Sequence, residues 1–164
     1  MPDNYTPLFS EILDKVSKLK TKQEKVTFLR QHNTDALRMV IKASFDPNIE
    51  WLLPEGTVPY IVNDAPEGTE HNVLSYEERK LYHFIKGGNP SLTQNKREMM
   101  FVQMLEGLSE NESILLIAAK DKKLHQIYKG LSSAVVKEAF HWTDEYKIDD
   151  QHVNHQTPGS ASGV

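Results

Sequence analysis

No cysteine occurs anywhere in the chain. That absence removes disulfides, thiolate catalysis and cysteine-based zinc sites together. No apolar run approaches the roughly 20 residues needed to span a bilayer, so no membrane segment is expected. The opening residues, Met1-Pro2-Asp3-Asn4-Tyr5, lack the basic start and apolar stretch of a secretion signal. A reducing cytoplasm is therefore the expected compartment. There is no Gly-Lys-Ser/Thr phosphate loop either; Gly87-Gly88 stands alone and reads as a helix stop. No nucleophile, base and oxyanion donors can be grouped, so neither catalysis nor a cofactor is expected.

Two further patterns are weak. His152 and His155 are three residues apart, with His141 upstream near Asp144 and Glu145. A metal site needs three or four ligands held by supporting bonds, and a polar tail holds them poorly, so no metal is expected. Glu77-Glu78, Asp144-Glu145 and Asp149-Asp150 are adjacent pairs. Neighbours on a helix diverge by about 100°, so these read as solvated charge.

What the chain has is charge, unevenly placed. Lys15 to Arg30 holds six basic residues against Glu24 alone. Ile114 to Lys137 holds five against Asp121 alone. The two windows carry a net +9, so the remainder carries −13 to reach the overall −4. Between Asp46 and Glu78 there are eight acidic residues and no Lys or Arg. Such separation steers a partner, while the overall sign argues against indiscriminate nucleic-acid binding.

The apolar spacing predicts an all-α, irregular domain of about six to eight helices over residues 1–145, with a polar, flexible tail at 146–164. Thr6-Pro7 is suited to open a first helix carrying Leu8, Ile12, Val16 and Leu19. Thr21 to Glu24 forms a capping box for a second, and Asn33 or Thr34 caps a third that Asp46-Pro47 ends. Residues 46–74 hold Pro47, Pro54, Pro59, Pro66, Gly56 and Gly68, too many breaks for a long helix. They read as one long connection, with short strand pieces conceivable near Val58 to Val62. Helices resume at Ser75-Tyr76-Glu77-Glu78 and at Thr93, the latter with Met99, Met100, Val102 and Leu105 as its apolar residues. Another capping box, Ser109 to Glu112, leads into Ile114 to Ala119. A short helix at Leu124 to Tyr128 and a last one through Val135, Val136, Ala139 and Phe140 complete the set.

The stretch from Ala118 to Lys137 is the most informative. A helix, a glycine turn and a serine-capped helix follow in order, with lysines on both sides of the turn. Free N–H groups at the second helix, with Ser132 or Ser133, make a seat for a phosphate. Lys129 and Lys137 supply charge-assisted contacts. The same residues also suffice simply to end one helix and cap the next.

Two anchors resemble the all-helical N-terminal DNA-binding domain of phage-type ATP-dependent DNA ligases. The first is Leu8-Phe9-Ser10-Glu11-Ile12-Leu13 followed by Thr21-Lys22-Gln23-Glu24-Lys25. The second is Gly130-Leu131-Ser132 with the helix to Phe140-His141-Trp142. The resemblance implies a domain that grips duplex DNA backbone without sequence readout, in the cytoplasm of an infected bacterial host. It makes Lys22, Lys25, Lys129, Gly130, Ser132 and Ser133 phosphate contacts. No Lys-x-Asp-Gly nucleotidyltransferase motif occurs, so a stand-alone, non-catalytic accessory protein is implied. On this reading Lys22, Lys25, Lys122, Lys129 and Lys137 are expected to share one face. The alternative is a protein–protein adaptor or inhibitor of a replication or transcription enzyme. It would act through the acidic 46–78 segment, with Trp51, Leu52, Leu53 and Tyr60 as an exposed apolar patch.

Overall fold

The computed structural model describes residues 6–66 and 71–149. The fold is all-α. In chain order the α-helices are α1 (Phe9–Lys18), α2 (Lys22–Gln31), α3 (Asp35–Phe45) and α4 (Leu74–Glu77). A 3-10 helix (Glu78–Phe84) follows, then α5 (Gln94–Gly107), α6 (Glu110–Lys120), α7 (Leu124–Ile127) and α8 (Ser133–Phe140). No strand forms at Val58 to Val62. Among the described residues, extended pairing is confined to isolated bridges such as Trp51 with Ile85 and Trp142 with Ile148. Pro59 lies within that stretch and offers no N–H to a ladder.

Helix α3 packs on α6, and this pair is the centre of the molecule. Leu37, Val40 and Ile41 of α3 and Leu115, Leu116 and Ala119 of α6 are fully buried. Each of the Leu, Val and Ile side chains contributes about 1.5–3 kcal/mol by leaving water. Around the pair lie α1, α4, α5, α7, α8 and the 3-10 helix, while α2 is held by α1 and most extensively by α8.

The caps show where local signals prevail and where packing overrides them. Thr21 and Glu24 close a reciprocal box, Thr21 Oγ1 accepting from Glu24 N at 3.1 Å and Glu24 Oε1 accepting from Thr21 N at 3.1 Å. Thr34, Thr93 and Ser132 cap α3, α5 and α8 by the same oxygen-to-third-N–H bond. The first helix starts later than Thr6-Pro7 suggested: Leu8 occupies the cap, with Glu11 reaching back to its N–H at 2.8 Å. Ser75 is not a cap either, since Val73 holds that position.

The box at Ser109 to Glu112 does not close. Ser109 heads α6 without a side-chain cap bond, and the reciprocal bond is missing because the buried Glu112 carboxylate is used elsewhere. It accepts from Ser10 N at 3.0 Å and from Leu74 N at 2.9 Å. Ser10 lies in the first turn of α1 and Leu74 begins α4, so one carboxylate satisfies the starts of two other helices.

Helix α5 is rotated from the expected face. Phe101, Met104 and Leu105 point inward, whereas Met99 is 60% exposed. A buried arginine sets the rotation: Arg97 donates to the carbonyls of His83 at 2.9 Å and Leu92 at 3.1 Å. Gly87-Gly88 does not stop the preceding helix, which already ends at Phe84 with Ile85 extended; the glycines lie in the turn that follows, and a Cβ at Gly88 would sit 2.0 Å from the Tyr82 carbonyl oxygen. The fold also runs past residue 145. Tyr146 is buried against Trp142, and Asp149 N bonds His141 O at 2.8 Å. Residues 146–149, counted with the tail above, are thus folded back on the domain; 150–164 lie outside the described residues.

Candidate nucleic-acid interface

The two basic windows, about a hundred residues apart in sequence, meet where α2 packs on α8. Tyr128, buried in the core, and Leu131, fully buried, pin both sides of the turn between α7 and α8. Gly130 between them takes φ +90°, a conformation that glycine adopts without the Cβ penalty. Lys25 of α2 lies directly on it, since a Cβ at Gly130 would come within 2.8 Å of both Lys25 Cε and Nζ. Ser132 Oγ is committed to capping, accepting from Val135 N at 3.2 Å. The N–H groups of Ser133 and Ala134, in the first turn of α8, have no intrahelical acceptor. Lys129 is exposed and makes no ion pair among the described residues. Lys25, Lys129, Gly130, Ser132 and Ser133 therefore form one cluster.

The other lysines are placed differently. Lys22 starts α2 and pairs with Glu138 of α8 at 3.0 Å. The Lys22 ammonium bonded to Glu138 holds that carboxyl below its usual range. Lys137 pairs with Asp144 at 3.4 Å and lies 4.9 Å from the centre of the Tyr146 ring. Both are at the same α2–α8 junction, but partly neutralised. Lys122 does not join them. Its Nζ donates to the carbonyls of Ala43 at 3.2 Å and Asp46 at 2.7 Å, tying down the C-terminus of α3. Burial pushes that amine below the ordinary lysine range, with the Asp46 charge acting in the opposite direction.

Two counter-ions, Glu138 and Asp144, were not legible as part of the site. Glu138 lies 116 positions from Lys22 and meets it only through α2–α8 packing, and no spacing rule links helices that far apart in sequence. Arg30 belongs to the same junction: it donates to the carbonyls of Ala139 at 3.2 Å and Glu138 at 2.8 Å, closing the C-terminal end of α8.

The residues named for a protein contact are largely inward. Trp51 is buried, its indole N–H donating to Ala43 O at 2.9 Å and its ring edge-on to Phe101. Leu53 and Tyr60 pack against the core, and burial raises the Tyr60 hydroxyl above its ordinary value. Leu52 is half-buried, with its N–H bonded to Phe84 O at 2.8 Å. The exposed apolar residues of the connection are instead Ile61 and Val62. Among the described residues no group of three or more His, Asp or Glu side chains converges, and His141 serves as the left-handed C-cap of α8. His152 and His155 fall outside the described residues. No helix among the described residues is long and apolar enough to cross a membrane.

A family of unknown function, DUF6433, matches residues 12–126, and the chain belongs to it. The matched span includes α2 and Lys25 and ends before Lys129 and the turn. No curated protein and no solved structure matches the chain.

Proposed function

We propose that this DUF6433 member is a non-catalytic accessory protein that binds the phosphate backbone of duplex DNA at the α2–α8 junction. The supporting observation is the seat of Lys25 on Gly130, which joins the amine of one basic window to the helix start of the other. A phosphate there meets first-turn N–H groups, the positive end of α8 and the ammonium groups of Lys25 and Lys129. Nothing in this arrangement reaches a base edge, so the binding is insensitive to sequence. The reading is that of a stand-alone relative of the phage-type ligase DNA-binding domain, acting in the cytoplasm of an infected host.

Two or three phosphate contacts give a salt slope of roughly −2 to −3 in log K against log salt. That is weak, and in keeping with a net charge of −4. The test is anisotropy of a short fluorescein-labelled duplex, intact and nicked, across a salt series. Lys25→Ala and Lys129→Ala should each flatten the slope by about one, and together should remove most binding. Absence of binding at low salt, or an unchanged slope in the double variant, would overturn the reading.

A further inference from the structure

A second site lies in the connection between α3 and α4, and it shares no residue with the α2–α8 cluster. Leu53, Pro54, Val58 and Pro59 pass over α5 and leave a pocket of about 200 Å³. Met99 and Val102 of α5 form its other wall. The volume is below the roughly 300–1,000 Å³ of small-molecule pockets and suits one large apolar side chain.

The pocket is held open by bonds on both sides of its overhanging loop. Gln94 Nε2 donates to Leu52 O at 2.8 Å. The buried Lys120 ammonium donates to Pro54 O at 2.7 Å and to Asp121 Oδ1 at 2.5 Å, while Asp121 accepts from Gly56 N at 3.1 Å. Further on, Glu106 Oε2 accepts from Ile61 N at 2.9 Å. A loop fixed at residues 52, 54, 56 and 61 loses little freedom when something enters. Beside it Met99, Ile61 and Val62 expose 60%, 78% and 42% of their surface. A polarizable thioether at the mouth adapts to varied apolar shapes.

The charge around the pocket has one sign. Lys120 lines it, but its ammonium is cancelled by Asp121. Residues 46–66 contain no Lys or Arg. Glu98 lines the pocket, and Glu98, Glu106 and Asp64 make no ion pair among the described residues. The cations of α5 are Lys96 and Arg97, both in its first turn, and Arg97 is buried on carbonyls. We infer that this pocket docks a partner protein through one large apolar side chain flanked by Lys or Arg, the flanks meeting Glu98 and Glu106. Apolar anchors fix the contact, and the acidic rim selects for basic partners and speeds their approach.

The test uses the full chain with ¹³C-methyl methionine and synthetic peptides of one length. Central Leu, Phe or Trp is flanked by arginines; control peptides carry glutamate flanks or a central Ser. At least one arginine-flanked apolar peptide should shift the Met99 methyl resonance saturably. Either control, or Glu98→Lys in the protein, should weaken binding about tenfold. Met99→Asp, at an exposed position, should abolish binding of a fluorescein-labelled arginine-flanked peptide read by anisotropy, while leaving duplex affinity unchanged. The inference fails if no arginine-flanked peptide moves Met99, or if glutamate-flanked peptides bind equally well, which would mark a site for any apolar ligand. It fails too if the Met99 signal shifts with protein concentration alone, which would make a second copy the occupant.

Discussion

Lys120 and Lys129 belong to the same basic window, yet they do opposite work. At the end of α6, Lys120 is 1% exposed in its side chain and tied to Asp121 and to the connection's carbonyls. Lys122 is likewise anchored on the end of α3. Beyond α7, Lys129 stands in solvent next to a glycine turn on which Lys25 rests. The first group uses its charge to hold an acidic, proline-rich segment against the core. The second keeps its charge for something outside. Counting lysines in a window measures neither; what matters is which carbonyls and carboxylates the fold brings to each amine.

The sharpest way to break this contrast is to remove one lysine from each group. Lys120→Ala strands a buried Asp121 carboxylate and should cost about 3–5 kcal/mol in urea denaturation. Against a typical total of about 5–15 kcal/mol, that is a large share. Lys129→Ala should stay within about 0.5 kcal/mol of the parent. Equal stability losses in the two variants would erase the distinction.

Lys122→Met comes next, with about 1–3 kcal/mol expected from the loss of two charge-assisted bonds, while Ala43 O keeps the Trp51 indole N–H and Asp46 O keeps Ile49 N. Its pH signature is the finer measurement. Burial lowers this amine from 10.5, so the folded chain releases the proton before the unfolded chain does. Stability should therefore rise as pH climbs through the lowered folded value and level off above 10.5. Lys122→Met should lack that alkaline gain. DNA affinity should be unchanged in the same variant, because Lys122 faces α3.

The smallest expected effect is a gain. Glu138→Gln releases Lys22 from its counter-ion and should tighten duplex binding about two- to threefold at low salt, with convergence at high salt. Weaker binding in this variant would mean that Glu138 positions Lys22 rather than competing with phosphate.

Legibility in the sequence followed the range of the interaction. Thr21, Thr34, Thr93 and Ser132 were readable as caps because the bonded partner lies three residues away. The rotation of α5 was not, because Met99 and Phe101 are equally apolar and the carbonyls of His83 in the 3-10 helix and Leu92 before α5, gripped by Arg97, choose between them. Trp51 looked like an exposed anchor among prolines and acids. Its indole found Ala43 O eight residues back and Phe101 fifty residues on. Of the site, the Gly130-to-Ser133 turn was legible from its own residues, whereas Lys25 was tied to it only through a family resemblance.

The sequence by itself determined an all-α chain free of cysteine, its helix starts at Thr21, Thr34, Thr93 and Ser132, and a long connection that prolines keep from becoming helical. These follow from dihedral limits and bonds spanning a few residues. Tertiary structure alone decided that Glu112 serves α1 and α4 instead of its own helix, that Lys120 and Lys122 turn inward, and that Lys25 lands on Gly130. The Glu112, Lys120 and Lys122 placements depend on which unsatisfied N–H or C=O lies nearby after the helices pack, since a buried charge cannot remain without one, and the Lys25 placement follows from the packing of α2 on α8.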